Sequence, residues 1–104
     1  MEVINLKTLT DLGLNKIATT YKNSLSHVLY DLDGVENQTT FFKIEIKENT
    51  VIAYVFFDES YKGKISNIRV IDTDGDIVAK DPEIYERTVE KALYVVFKHE
   101  FVEV

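Results

Sequence analysis

Seven consecutive residues without a charge, Val51-Ile52-Ala53-Tyr54-Val55-Phe56-Phe57, set the strongest limit on how this chain can fold. They are rich in β-branched and aromatic side chains, which suit a pleated, packed surface. Polar stretches bound them, Glu48-Asn49-Thr50 before and Asp58-Glu59-Ser60 after. A strand with one wet face alternates apolar and polar residues, whereas one covered on both faces reads as a continuous apolar run. Val51–Phe57 is therefore expected as the central strand of a small sheet. Ala53, Val55 and Phe57 point one way, and Ile52, Tyr54 and Phe56 the other.

The flanking segments read as its partners. In Phe41–Lys47, Phe42, Ile44 and Ile46 alternate with Lys43, Glu45 and Lys47, which is strand periodicity before a short turn. Lys64–Asp72 reads as a third strand, with Ile68 and Val70 on one face and Arg69 and Ile71 on the other. Ile65 and Ile71 are expected on the side of Ile52. Ile77-Val78-Ala79 reads as a short last strand. Residues 24–32 fit a helical stripe (Leu25, Val28, Leu29, Leu32) and also an alternation (Val28, Tyr30, Leu32). The break at Asn23-Ser24 and the Asp33-Gly34 turn favour the strand. Residues 35–40 read as a polar loop.

Two helices complete the expectation. Over residues 5–22, Leu6, Leu9, Leu12, Ile17 and Tyr21 form one stripe. Gly13 interrupts it at about 1 kcal/mol against Ala, and Thr10-Asp11 offers a cap for a second segment. At the other end, Asp81 suits an N-cap and Pro82 a first helical position, with Glu83 and Glu86 following. Tyr85, Val89, Ala92, Leu93 and Val96 would form its apolar stripe, with Lys98 and His99 at its negative pole. Phe101–Val104 is left open, as a frayed end or a short edge strand. The expected architecture is an α+β domain spanning residues 1–104. It has an N-terminal helix, an antiparallel meander of four to five strands, and a C-terminal helix packed on the sheet. One helix cannot cover both sheet faces. Ile52, Tyr54 and Phe56 are thus expected either under a helix or in a homodimer interface.

Composition narrows the function classes. With 18 acids against 12 bases the net charge is −6, which disfavours direct binding to nucleic-acid phosphates. The chain has no cysteine, so disulfides and thiolate metal sites are excluded. No apolar run approaches the roughly 20 residues that span a bilayer, and no secretory leader is visible. A cytoplasmic location is expected. No glycine-rich phosphate loop and no nucleophile elbow occur, so no cofactor is expected.

Val28-Leu29-Tyr30-Asp31-Leu32-Asp33-Gly34-Val35 resembles the first motif of haloacid-dehalogenase-type phosphatases. The resemblance implies Asp31 as nucleophile, Asp33 as general acid/base and Mg²⁺ between them. It also implies a parallel sheet, which the meander opposes; the alternative is an Asp-Gly turn at a strand end. Asp72-Thr73-Asp74-Gly75-Asp76 departs from the EF-hand pattern in the place of its glycine and the absence of flanking helices. It reads as a hairpin turn, and no metal is expected. His27 and His99 have no evident partners.

The remaining signal is charge placement. Asp72, Asp74, Asp76, Asp81, Glu83, Glu86 and Glu90 are opposed only by Lys80 and Arg87 over that stretch. Glu83, Glu86 and Glu90 would stripe one helix face. The leading expectation is a small, non-enzymatic interaction protein, an inhibitor or antagonist of phage or mobile-element type. Its acidic face would dock on a basic protein surface. The alternatives are a homodimeric structural or adaptor module and an Mg-dependent phosphatase using Asp31 and Asp33.

Overall fold

Thr10 opens the first element. Its hydroxyl accepts the Gly13 N–H at 3.0 Å, leaving Asp11 in the first turn of a helix over Asp11–Ser24 (α1). An uncapped helix start leaves its first amides unsatisfied, so the Thr10 cap fixes where α1 begins. The structure is a computed structural model that describes residues 9–87 and 92–102; Leu6, Val89 and Glu90 lie outside it. Leu9, Leu12 and Ile17 are exposed, and the buried point of α1 is Ala18. The expected stripe is therefore split: Leu9, Leu12 and Ile17 are largely in solvent, whereas Tyr21 packs edge-on against His99 and Phe101.

Leu25 donates to the Lys22 carbonyl and turns extended, so α1 passes straight into a strand over Leu25–Leu32 (β1). Asp33 (φ 51°) and Gly34 (φ 82°) both adopt positive φ. That is the signature of the two-residue turn whose twist matches a hairpin, and Asp-Gly is a favoured pair for it. The returning strand, Val35–Thr39 (β2), pairs with β1 from Leu32↔Val35 to Val28↔Thr39. These residues are too polar to read as a strand alone; the turn and the β1 edge impose the conformation.

The remaining strands are Lys43–Lys47 (β3), Thr50–Phe57 (β4), Gly63–Asp72 (β5), Ile77–Asp81 (β6), Tyr85–Arg87 (β7) and Leu93–Glu100 (β8). All pairings are antiparallel. They form two sheets. One runs β2-β1-β5-β6, with β7 on the same edge of β5 as β6; the other runs β3-β4-β8.

This corrects the α+β expectation. The described residues hold one helix and eight strands, and no C-terminal helix packs on the sheet. Asp81 does not cap a helix. Its Oδ1 accepts the Glu83 N–H at 2.9 Å and its Oδ2 accepts the Tyr85 hydroxyl at 2.7 Å, so it shapes the step from β6 to β7. In β8 the β-branched and aromatic residues alternate, with Val95 and Phe97 buried and Tyr94 and Val96 exposed. A helix would place Val95 and Phe97 on different faces; pairing with β4 buries both. β8, not β5, is the second neighbour of Val51–Phe57.

The two sheets share one core. Val28 and Tyr30 of β1 and Ile65, Ile68 and Val70 of β5 pack with Ala53, Val55 and Phe57 of β4 and Val95 and Phe97 of β8. Tyr30 meets the Phe57 ring edge-on at 5.0 Å. Fully burying a side chain of this kind stabilises by roughly 1.5–3 kcal/mol. Ile65 joins this core, not the far side with Ile52. It can do so because Asn67, at φ 50°, inserts one extra residue into β5 between Asp31↔Ser66 and Leu29↔Arg69. The bulge lets Ile65 and Ile68, three apart, face the same way.

Candidate interaction site

The acidic stretch divides once the helix is gone. Asp72, Asp74 and Asp76 form the β5–β6 turn, with carboxylate oxygens within 4.8 Å of one another. Asp72 Oδ1 accepts the Asp74 and Asp76 N–H groups at 3.0 and 2.9 Å, and Gly75 takes the positive φ of 85°. Thr73 N–H donates to the Ser24 carbonyl, which ties the turn to the end of α1. Three carboxylates are a donor set for a hard cation. Here one oxygen of Asp72 is already engaged by two backbone amides, and the cluster is accounted for as turn chemistry. Asp74 and Asp76 remain exposed as an acidic tip.

The other acids lie elsewhere. Asp81 is half-buried and bound to Tyr85, whose phenol it helps to push up to about 12, after the larger effect of burial. Glu83 and Glu86 are exposed farther along the same edge, with Glu86 opposite Lys64. At roughly 3.3 Å per residue, the ten steps from Asp76 to Glu86 spread over as much as about 33 Å. The three-and-four spacing that would have made a stripe of Glu83, Glu86 and Glu90 has no helix to act on.

Asp31 and Asp33 are both engaged. Asp31 lies on the outer face of β1, where Arg69 Nη1 donates to its Oδ1 at 3.4 Å and Asn67 Nδ2 to its Oδ2 at 3.3 Å. Arg69 also bonds Glu36 and donates to the Asn67 carbonyl at 2.8 Å, and it is only 8% exposed. Asp33 Oδ1 accepts the Lys64 N–H at 2.9 Å, and its own N–H donates to the Lys64 carbonyl. Asp31-Leu32-Asp33-Gly34 is thus a strand end and a hairpin turn in an antiparallel sheet.

The outer face of β3-β4-β8 is different in kind. The alternation in β4 places Ile52, Tyr54 and Phe56 there, as expected, and α1 bonds to this sheet at the end away from Phe56, where Asn15 donates to the Glu48 carbonyl. Across β4, Phe56 is opposite Tyr94, Tyr54 is opposite Val96 and Ile52 is opposite Lys98. Phe42, Phe56 and Tyr94 form a triangle of rings with centroids 4.7 to 5.7 Å apart. Yet Phe42 is 58% exposed, Tyr94 52% and Val96 51%. Lys43, Glu45 and Lys47 border this apolar pole on β3, and Lys98 on β8. Lys43 pairs with Glu45, which lowers the carboxyl of Glu45; Tyr54 also donates to Glu45, at 3.3 Å.

Sequence reasoning missed Phe42, Tyr94 and Val96. Phe42 was expected on one face of a strand with Ile44 and Ile46, opposite Lys43, Glu45 and Lys47. It lies just before β3, and its neighbour Phe41 takes the place against the core. Val96 was absorbed into a helical stripe, and Tyr94 fell within the same expected helix without a place on that stripe. Contiguous exposed aromatics that already touch one another are the composition of an interface centre, where Phe and Tyr are enriched.

Among the described residues no helix is long and apolar enough to cross a membrane. No protein-family model, no curated protein and no solved structure matches the chain, so the surfaces themselves carry the functional argument.

Proposed function

We propose that this chain is a protein-interaction module, not an enzyme, and that it contacts its partner through the outer face of β3-β4-β8. The observation that carries this is the Phe42–Phe56–Tyr94 triangle, packed together and still more than half exposed at two of its three members. Rings held against one another have little rotamer freedom left to lose, so they bind at low entropic cost. Covering them would return burial energy of about 1 kcal/mol or more per ring. The cytoplasm is the compartment that suits a module of this composition.

A second contact is favoured by the acidic tip. Asp74 and Asp76 are exposed at the end of a hairpin, on a chain of net charge −6. Such a tip suits a basic partner surface and would speed encounter more than it would tighten binding. An inhibitor or antagonist role is the form in which this second contact matters.

The test is capture from the native host by the wild-type chain, by Phe42→Ser/Tyr94→Ser, and by Asp74→Lys/Asp76→Lys, with folding checked by circular dichroism. The face variant should lose the captured protein, and the tip variant should keep it while binding more slowly. Loss only in the tip variant would replace the face by the acidic contact. Equal capture by all three folded chains would end both ideas.

A further inference from the structure

Sheet edges are exposed templates for pairing, and proteins protect them with short strands, charges, bulges or proline. Three of the four edges here carry such devices. β2 is five residues long and presents Glu36, Asn37 and Gln38. β3 is also five long and presents Lys43, Glu45 and Lys47. The β6/β7 edge is bulged between Val70↔Ala79 and Ile71↔Ile77, then interrupted between Asp81 and Tyr85, where Pro82 lies.

β8 has almost none. It is eight residues long, and its pairing with β4 runs without a shift from Phe57↔Leu93 to Thr50↔Glu100. Leu93–Phe97 contains no charge, no proline and no bulge. Among the described residues no strand pairs with its other side.

We infer that a second copy of this chain pairs antiparallel with the free edge of β8, about a two-fold axis through Val96. Residues directly opposite one another in an antiparallel pair point to the same face, so such an axis passes through a residue and not between two. Centred on Val96, the sequence matches itself. Val96 meets Val96 of the second copy, and Tyr94 meets its Lys98, both on the outer face. Val95 meets Phe97 of the second copy, and Leu93 meets its His99, on the inner face. The only lysine of β8 thereby falls beside an aromatic ring, a favourable pairing. Centring one residue later would set Val96 against Lys98 and Tyr94 against Glu100.

The two β3-β4-β8 sheets become one of six strands, and the two ring triangles come to share one outer surface. This goes beyond the proposed contact face, since the edge and the face are separate surfaces of the same sheet.

The test uses the full chain. Light scattering at micromolar concentration should give twice the 12.0 kDa chain mass. Val96→Lys sets two like charges on the axis at a half-exposed position, so the chain should stay folded and dissociate at least tenfold more readily. Because the chain has no cysteine, Val96→Cys offers a single thiol. Mild oxidation should link it to its symmetry mate, since opposite Cβ atoms in a strand pair lie about 4.5–5.5 Å apart. Phe42→Cys, similarly exposed but just before β3 and away from the β8 edge, should not link. A single-chain mass throughout, an undiminished dimer in Val96→Lys, or linkage through Phe42→Cys in place of Val96→Cys would each overturn the inference. A monomer that still captures a host protein through Phe42 and Tyr94 would refute the edge pairing alone.

Discussion

Replacing Arg69 with methionine should destabilise the fold by about 2–3 kcal/mol, and the structure shows where that figure comes from. The Arg69 side chain is 9% exposed and donates to three acceptors. The bond to the Asn67 carbonyl at 2.8 Å fixes the bulge, and a charge-assisted bond of this kind is worth about 1.5 kcal/mol. Asp31, 26% exposed, would lose its cation and keep only Asn67, a further 1 kcal/mol or so. Glu36 is 63% exposed and would turn to water at a cost below about 0.5 kcal/mol. Methionine keeps the packing of the aliphatic stem. Urea unfolding followed by circular dichroism measures the change, with equal slopes as the check on two-state behaviour. Asp31→Asn should cost about 1 kcal/mol and Glu36→Gln less, and a double-mutant cycle should couple Arg69 more strongly to Asp31 than to Glu36. An Arg69→Met chain within about 0.5 kcal/mol of wild type, or a Glu36→Gln change as costly as Asp31→Asn, would refute this account of the outer face.

Other elements give separate tests. Gly63 has φ 117°, and a Cβ there would lie 2.5 Å from Asp33 Oδ2; Gly63→Ala should lower stability by about 1–3 kcal/mol, visible as a fall in melting temperature. The Tyr30 phenol is pushed up to about 12 by burial and by Tyr61. A group that holds its proton more tightly when folded contributes stability that is intact below pH 10. That contribution, about 2–3 kcal/mol at most, is lost as pH rises from 10 towards 12, so alkaline unfolding should coincide with phenolate absorbance. Thr10→Ala removes the hydroxyl that accepts Gly13 N–H and should cost about 1 kcal/mol, read as faster amide exchange in the first turn of α1.

What the sequence made legible was local. The Asp33-Gly34 hairpin, the Thr10 cap, the inward face of Ala53, Val55 and Phe57, and the alternation about Arg69 follow from chemistry within a few residues. Two things were not local. β2 is polar and becomes a strand only because β1 supplies its partners. At the C-terminus, Tyr85, Leu93 and Val96 happen to fit a helical period while Leu93, Val95 and Phe97 fit a strand period, and Asp81-Pro82 imitates a helix start. The tie is broken by the apolar edge of β4, far away in sequence, which buries Val95 and Phe97 at once. The candidate site suffered twice from this. Ile52, Tyr54 and Phe56 were visible as a surplus face, but Tyr94 and Val96 were hidden inside a helix that does not form. The acidic stripe was drawn on that same helix.

The most direct test of the contact face is site-specific photocrosslinking in the native host, with benzoylphenylalanine in place of Phe42 or Tyr94. Matched chains would carry it in place of Gln38 on β2, in the opposite sheet, and of Asp74 at the acidic tip. Discrete adducts with one protein from positions 42 and 94, and none from 38, are the expected result. Adducts from position 74 alone, with none from 42 or 94, would contradict the claim that the aromatic face of β3-β4-β8 is where this protein meets its partner.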